Sequence, residues 1–141
     1  MIHLTVLGSS AAFPSKKYST NCIAVKHGSV YLFECCKGAQ KQMMKFNVSY
    51  AKVKAVFLSH LHADAFLGLP GLIQTLNLGG RTQELVIVGP VGSKKFFSAL
   101  FSLPALGAAY PLKLVEARPE DIVLEEKDFV IKAFETRHGV K

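Results

Sequence analysis

The chain has 141 residues, half of them hydrophobic, and 17 Lys and Arg against 10 Asp and Glu, for a formal net charge of +7. That size and apolar content suffice for one folded domain with a buried core. Lys, His, Asp or Gly interrupt every apolar stretch before the roughly 20 residues of a membrane-spanning helix, and MIHLTVLGSS lacks the basic start and long apolar core of a signal peptide, so a cytoplasmic protein with no membrane association is expected.

Residues 2–8 (IHLTVLG), 21–26 (NCIAVK) and 29–34 (SVYLFE) are short, β-branched and aromatic, and His27-Gly28 makes a compact turn between the last two. Residues 37–46 (KGAQKQMMKF) change to helix formers, with Lys37, Lys41 and Lys45 on one face and Met43, Met44 and Phe46 elsewhere. A strand at 53–59 (VKAVFLS) runs into a cluster of His and Asp. It is followed by a helix within 66–80 that starts at Pro70, a first-turn residue, and stops at Gly79-Gly80. A buried-type strand at 84–90, a helix at 93–103 and strands in YPLKLVEA, DIVLE and DFVIKAFET complete the order.

Strands alternating with helices predict α/β or mixed α+β layering. Neither repeats nor linkers divide residues 1–141, so a single domain is expected. The last predicted strand delivers His138 to its end just before the sequence stops, which predicts a piece of a larger fold. Cys22, Cys35 and Cys36 form neither an even framework nor a CxxC pair, and are expected to be reduced, half-buried strand residues. The positive charge favours polyanionic partners such as nucleic acid.

The chemistry-bearing stretch is FLSHLHADAFLGLPG, residues 57–71. In extended chain, residues two apart point to the same side, so His60 and His62 can present their imidazoles to one point and Asp64 can join them or reach a second ion beside them. Histidine and aspartate suit zinc, manganese or iron. The location, after a strand and before a glycine-bracketed helix, is the end of the sheet where α/β folds gather ligands. Spacing and context together favour metal binding over a chance string. Ser59 lies in no G-x-S-x-G elbow and reads as a hydrogen-bonding neighbour in the loop. VLGSS lacks a nucleotide-binding pattern, and His3 and His27 read as surface or locally satisfied residues.

These residues resemble a family. FLSHLHADAFLGLPG is similar to the HxHxDH signature of the metallo-β-lactamase superfamily, and in particular to the S-H-x-H-x-D-H-x-x-G-L-P-G form of ribonuclease Z, which trims precursor tRNA 3′ ends. VLGSSAAFPSKKYSTNCIAV resembles that family's first strand and following loop, LFECCKGAQKQMMKF its D-C-G-E-G-T-Q segment, and AFETRHGVK the later strand whose terminal histidine joins the metal site.

The resemblance implies a four-layer αββα metallo-β-lactamase sandwich, of which this chain covers about the first half. It implies that His60, His62 and His138 surround one zinc, and that Asp64 binds a second and serves as general base. It further implies a metal-dependent endoribonuclease acting on precursor tRNA, a homodimeric assembly, and a loop carrying Lys16 and Lys17 beside the cleft, where an RNA backbone could pass. Ala65 departs from the pattern, because it stands where the family places a histidine on the second metal and a methyl group coordinates nothing. Glu34 replaces an aspartate and Lys37 a glutamate. The expected function is therefore a ribonuclease Z-like activity impaired in this chain by Ala65 and the absent second half. The alternatives are another hydrolase of the superfamily with a small ester or phosphodiester substrate, and a non-catalytic member that binds RNA or protein.

Overall fold

The fold is that of a computed structural model, and the residues described are 1–137. Six strands form one sheet in chain order: β1 (His3–Gly8), β2 (Cys22–His27), β3 (Ser29–Phe33), β4 (Val53–Phe57), β5 (Leu85–Pro90) and β6 (Leu112–Ala117). The first three pair antiparallel, β1 and β2 joined by the long loop of residues 9–21 and β2 and β3 by a tight turn with Gly28 at φ +69°, while β3 to β6 run parallel. Parallel neighbours need crossovers, and helices supply them. The connections carry α1 (Ala39–Lys45), α2 (Ala63–Phe66), α3 (Gly68–Leu78) and α4 (Ser93–Phe101). A two-stranded antiparallel sheet follows, β7 (Ile122–Glu125) with β8 (Val130–Lys132).

Alternation along the strands separates two apolar faces. Leu7, Ala24, Leu32, Val56 and Ile87 point to the helical side, where Met43, Leu69, Leu72, Ile73 and Phe97 close a continuous core. Tyr31, Ala55, Phe57 and Val88 point the other way and pack with Val123, Leu124, Phe129 and Ile131 of the β7–β8 hairpin. The hairpin is pinned by the Tyr31 hydroxyl, which donates to Glu126 Oε1 at 3.1 Å, and by a Lys54–Glu126 ion pair. The order is thus helices, sheet, and the beginning of a second sheet, which fits the expected sandwich.

Several expectations change in detail. Helix formation begins inside the His/Asp stretch, at Ala63, and α3 starts at Gly68 rather than Pro70. Proline still occupies the first turn, where its missing N–H is not needed. The strand expected in DFVIKAFET is only Val130–Lys132, because its partner β7 begins at Ile122 and the preceding chain turns away at Arg118–Asp121. Cys35 and Cys36 lie after β3 rather than on a strand, and all three cysteines are free and fully buried rather than half-buried. The Cys36 side chain and burial push the Cys22 thiol well above its usual range, so the thiol is held protonated in the core.

Candidate metal centre

The apolar strand β4, flanked on both sides by parallel neighbours, carries the chain to the C-terminal edge of the sheet. Leu58 N–H donates to Val88 O at 2.8 Å, the last tie to β5 before the chain leaves the sheet. Ser59 to His62 then form the loop, and α2 begins at the next residue. This turn from strand to helix brings ligand atoms of His60, His62 and Asp64 all within 4.8 Å of one another. The two imidazoles meet edge to face with centroids 4.6 Å apart. Donors bonded to one tetrahedral ion at about 2.0–2.2 Å stand about 3.3–3.6 Å apart, so two imidazoles and a carboxylate would fit a zinc-type ion once their side chains draw closer together.

Long-range bonds fix the loop. Thr20 Oγ1 donates to the Asp64 carbonyl at 3.3 Å, Cys35 N–H to the Ala65 carbonyl at 2.7 Å, and Gly68 N–H to the Cys35 carbonyl at 3.0 Å. The last contact explains the first glycine of the GLPG signature: a Cβ at Gly68 would sit 1.7 Å from the Cys36 carbonyl oxygen. Gly8 is constrained likewise, since its Cβ would lie 1.9 Å from the Thr20 carbonyl oxygen. Both glycines let backbone approach backbone around the cluster. Together these segments surround a cavity of about 760 Å³ lined by Gly8, Ser10, Glu34, His60, His62, Asp64 and Ala65, among others.

Glu34 is a residue whose weight the sequence concealed. It is only 9% exposed, adopts a left-handed backbone with φ +62°, and accepts the Ser59 N–H on Oε1 at 2.9 Å. Its Oε2 is buried without a hydrogen-bond partner among the described residues. Burial raises its pKa above the usual carboxylate value, against the lowering effect of the Ser59 hydrogen bonds. The departure of ECCKG from the family segment was the one signal in the sequence. Thr20, which ties the Ser/Lys loop to Asp64 across 44 positions, had no sequence signal at all.

Of the residues singled out in the sequence, His60, His62 and Asp64 come together, whereas His138 lies outside the described residues. Ala65 is buried beside them and is among the residues that line the cavity. Lys16 and Lys17 are exposed on the loop after β1, outside that lining, and Lys17 Nζ rests over the Tyr18 ring. Lys37 instead lines a smaller recess of about 190 Å³ shared with Asp64. Ser59 hydrogen-bonds within the loop as expected, its Oγ 2.8 Å from His60 Nδ1. His27 is satisfied locally by the Met1 carbonyl and Asp128.

Known proteins share this fold and much of this sequence. A family model described as Anti-Pycsar protein Apyc1 matches residues 2–94. Among curated relatives, ribonuclease Z of Methanosarcina acetivorans is 35% identical over 99% of this chain and 46% of its own length, and that of Methanosarcina mazei 37% identical with the same coverage. The chain thus spans about half the length of the curated relatives it matches. Human tRNase Z, short form, superposes with a TM-score of 0.86 at 29% identity, covering 99% of this chain and 61% of that one. The Bacillus subtilis metallo-β-lactamase fold protein YhfI shares the fold with a TM-score of 0.77 at 23% identity, over 99% of this chain and 54% of its own. This chain, a metallo-β-lactamase-fold polypeptide with ribonuclease Z proteins among its relatives, belongs to the family described as Anti-Pycsar protein Apyc1.

Proposed function

We propose that the cluster is the metal centre of a ribonuclease Z-like endoribonuclease that cleaves precursor tRNA at its 3′ end, weakened in this chain at the position of a second ion. The observation carrying the reading is the convergence of His60, His62 and Asp64 at the end of β4, combined with ribonuclease Z relatives that match nearly the whole chain. His60 and His62 would hold zinc, with His138 as the third donor that the family resemblance implies, and manganese or iron would suit the same donors. When bound, such ions supply Lewis acidity and a water of lowered pKa. Asp64 orients the attacking water and accepts its proton. Ala65 gives no donor to a second ion. Loss of even an indirect ligand partner lowers metal affinity or activity about 10- to 100-fold, so a missing imidazole should weaken that ion at least as much.

The net charge of +7 supports RNA as the partner, with Lys16 and Lys17 on the exposed loop after β1 contributing salt-dependent contacts to phosphates. The family resemblance also points to a homodimer working in the cytoplasm. Among the described residues no helix is long and apolar enough to cross a membrane.

The test is zinc content per chain for this protein and for Ala65→His, purified without chelator, followed by incubation with precursor tRNA. The expected result is one zinc rising toward two on restoring histidine, with salt-dependent tRNA binding but little or no cleavage by the unaltered chain. Vigorous metal-dependent cleavage by that chain would contradict the assigned impairment, and absence of metal from both versions would contradict the centre itself.

The family model favours a second reading, since its description is an anti-Pycsar protein rather than a ribonuclease. In that reading the same donors serve another hydrolase of the superfamily acting on a small ester or phosphodiester. Cleavage of a small phosphodiester with precursor tRNA left intact would select it. Ala65 favours a third, in which the chain binds RNA or protein without turnover; RNA retention with neither metal nor cleavage would select that one.

A further inference from the structure

Ser59 makes two bonds that lead from the buried interior to the metal cluster. Its backbone N–H donates to Glu34 Oε1 at 2.9 Å, and its hydroxyl lies 2.8 Å from His60 Nδ1. Glu34 is in turn fixed at both ends of its main chain: its N–H donates to the Phe57 carbonyl at 2.8 Å, and its carbonyl accepts the Cys22 thiol at 3.3 Å. A residue at the exposed end of a strand would ordinarily leave its hydroxyl to water. Here the backbone of Ser59 is anchored to a buried carboxylate, so the hydroxyl is delivered to one nitrogen of one imidazole.

The two nitrogens of a histidine are not equivalent, and the hydrogen bond at one decides which is offered to an ion. A hydrogen bond between Nδ1–H of His60 and Ser59 selects the tautomer whose Nε2 carries the lone pair that an ion beside His62 and Asp64 would take. A hydroxyl suits this task because it can accept as well as donate. It accepts from Nδ1–H when Nε2 gives its lone pair to a cation, and its own proton then turns to water, which the exposed position of Ser59 allows.

Resting on the metal-centre reading above, we propose that Ser59 is a positioning residue: it orients the His60 ring through Nδ1 so that Nε2 faces the ion, and Glu34 holds Ser59 in place through its main chain. Ser59 touches neither ion nor substrate in this role, and the proposal assigns the serine of the S-H-x-H string a function of its own. It also gives the buried side chain of Glu34, in a left-handed turn 25 positions earlier in the chain, the task of accepting the Ser59 N–H.

The experiment uses the full chain and zinc ion as the probe, with Ser59→Ala, Ser59→Thr and Glu34→Gln. Ser59 is exposed, so its replacement removes no core packing. The first readout, on ion-free protein, is His60 ring order by side-chain NMR. One ring orientation is expected in the wild type and in Ser59→Thr, with averaging in Ser59→Ala. The second is zinc affinity, expected to fall about 10- to 100-fold in Ser59→Ala and to stay within about threefold of wild type in Ser59→Thr and in Glu34→Gln, which retains a side-chain carbonyl for the Ser59 N–H.

An equally ordered ring in Ser59→Ala overturns the proposal, and so does unchanged affinity despite a disordered ring. Failure of Ser59→Thr to restore both also overturns it. Should the wild type take up no zinc, the metal-centre reading fails and the ion-directed part of the proposal falls with it. Ring order in the ion-free protein then decides by itself whether Ser59 fixes His60.

Discussion

The helical face of the sheet and its opposite face are built from the same six strands, yet they are closed to different degrees. On the helical face, Leu69, Leu72 and Ile73 of α3 and Met43 of α1 are fully buried against Leu32 and Val56. On the other face the β7–β8 hairpin covers β3 to β6. The cross-strand neighbours Leu4–Val25 and Val6–Ile23 at the β1–β2 end are less covered, with Leu4 64% and Val6 49% exposed. Both faces carry apolar side chains, so hydrophobic pattern alone does not tell which one is sealed. The cavity holding the metal cluster opens toward the less covered side, since Val6 and Ile23 line it beside His60, His62 and Asp64, while the segment after β3 and the start of α3 clamp the cluster's loop from the helical side. Glu34 sits where the two regions meet, lining both the cluster's cavity and a groove of about 460 Å³ under the hairpin.

The largest expected contrast is between core truncations on the two faces. Leu72→Ala should cost about 2–5 kcal/mol, whereas Leu4→Ala should stay within about 0.5 kcal/mol. Chemical denaturation of both variants measures this directly, and equal losses would break the distinction. Gly68→Ala comes next: a methyl aimed at the Cys36 carbonyl forces backbone apart, at about 1–3 kcal/mol. Because the same contact clamps the loop, zinc affinity should fall with stability. Tyr31→Phe, which removes the hydroxyl donated to Glu126, should cost about 0.5–1.5 kcal/mol and loosen hydrogen exchange in β7–β8 more than in α3.

The pH dependence of Glu34 sharpens the account of the junction. Burial raises its carboxyl pKa above the ordinary 4.5, so the folded protein binds that proton more tightly than the unfolded chain does. The associated stability is fully present below the unfolded value and is lost as pH rises through the higher folded value. Compared with Glu34→Gln, the wild type should therefore lose stability between acid and neutral pH. Parallel stability curves for the two proteins would show that burial does not set this carboxylate's behaviour.

Much of the fold was legible because its elements are local. Strand alternation from 2 to 34, the helix formers after Lys37 and the apolar run at 84–90 each correspond to an element within a few residues. HxHxD was legible because two-residue spacing needs only an extended loop to converge. What escaped depends on contacts between distant positions. Nothing local marks Glu34 as the acceptor for Ser59, or Thr20 as the donor to Asp64. Likewise β8 stops where its partner begins, not where its own apolar pattern ends. Helix formation within the motif, at Ala63, was hidden by the expectation that Pro70 opens the helix.

The central claim is that His60, His62 and Asp64 form a working metal centre, and a zinc-binding isotherm of the chain beside His62→Ala tests it most directly. Saturable uptake of at least one ion per chain by the wild type, weakened at least about 10-fold in the variant, is the predicted result. Indistinguishable isotherms, or no saturable uptake by the wild type, would contradict it.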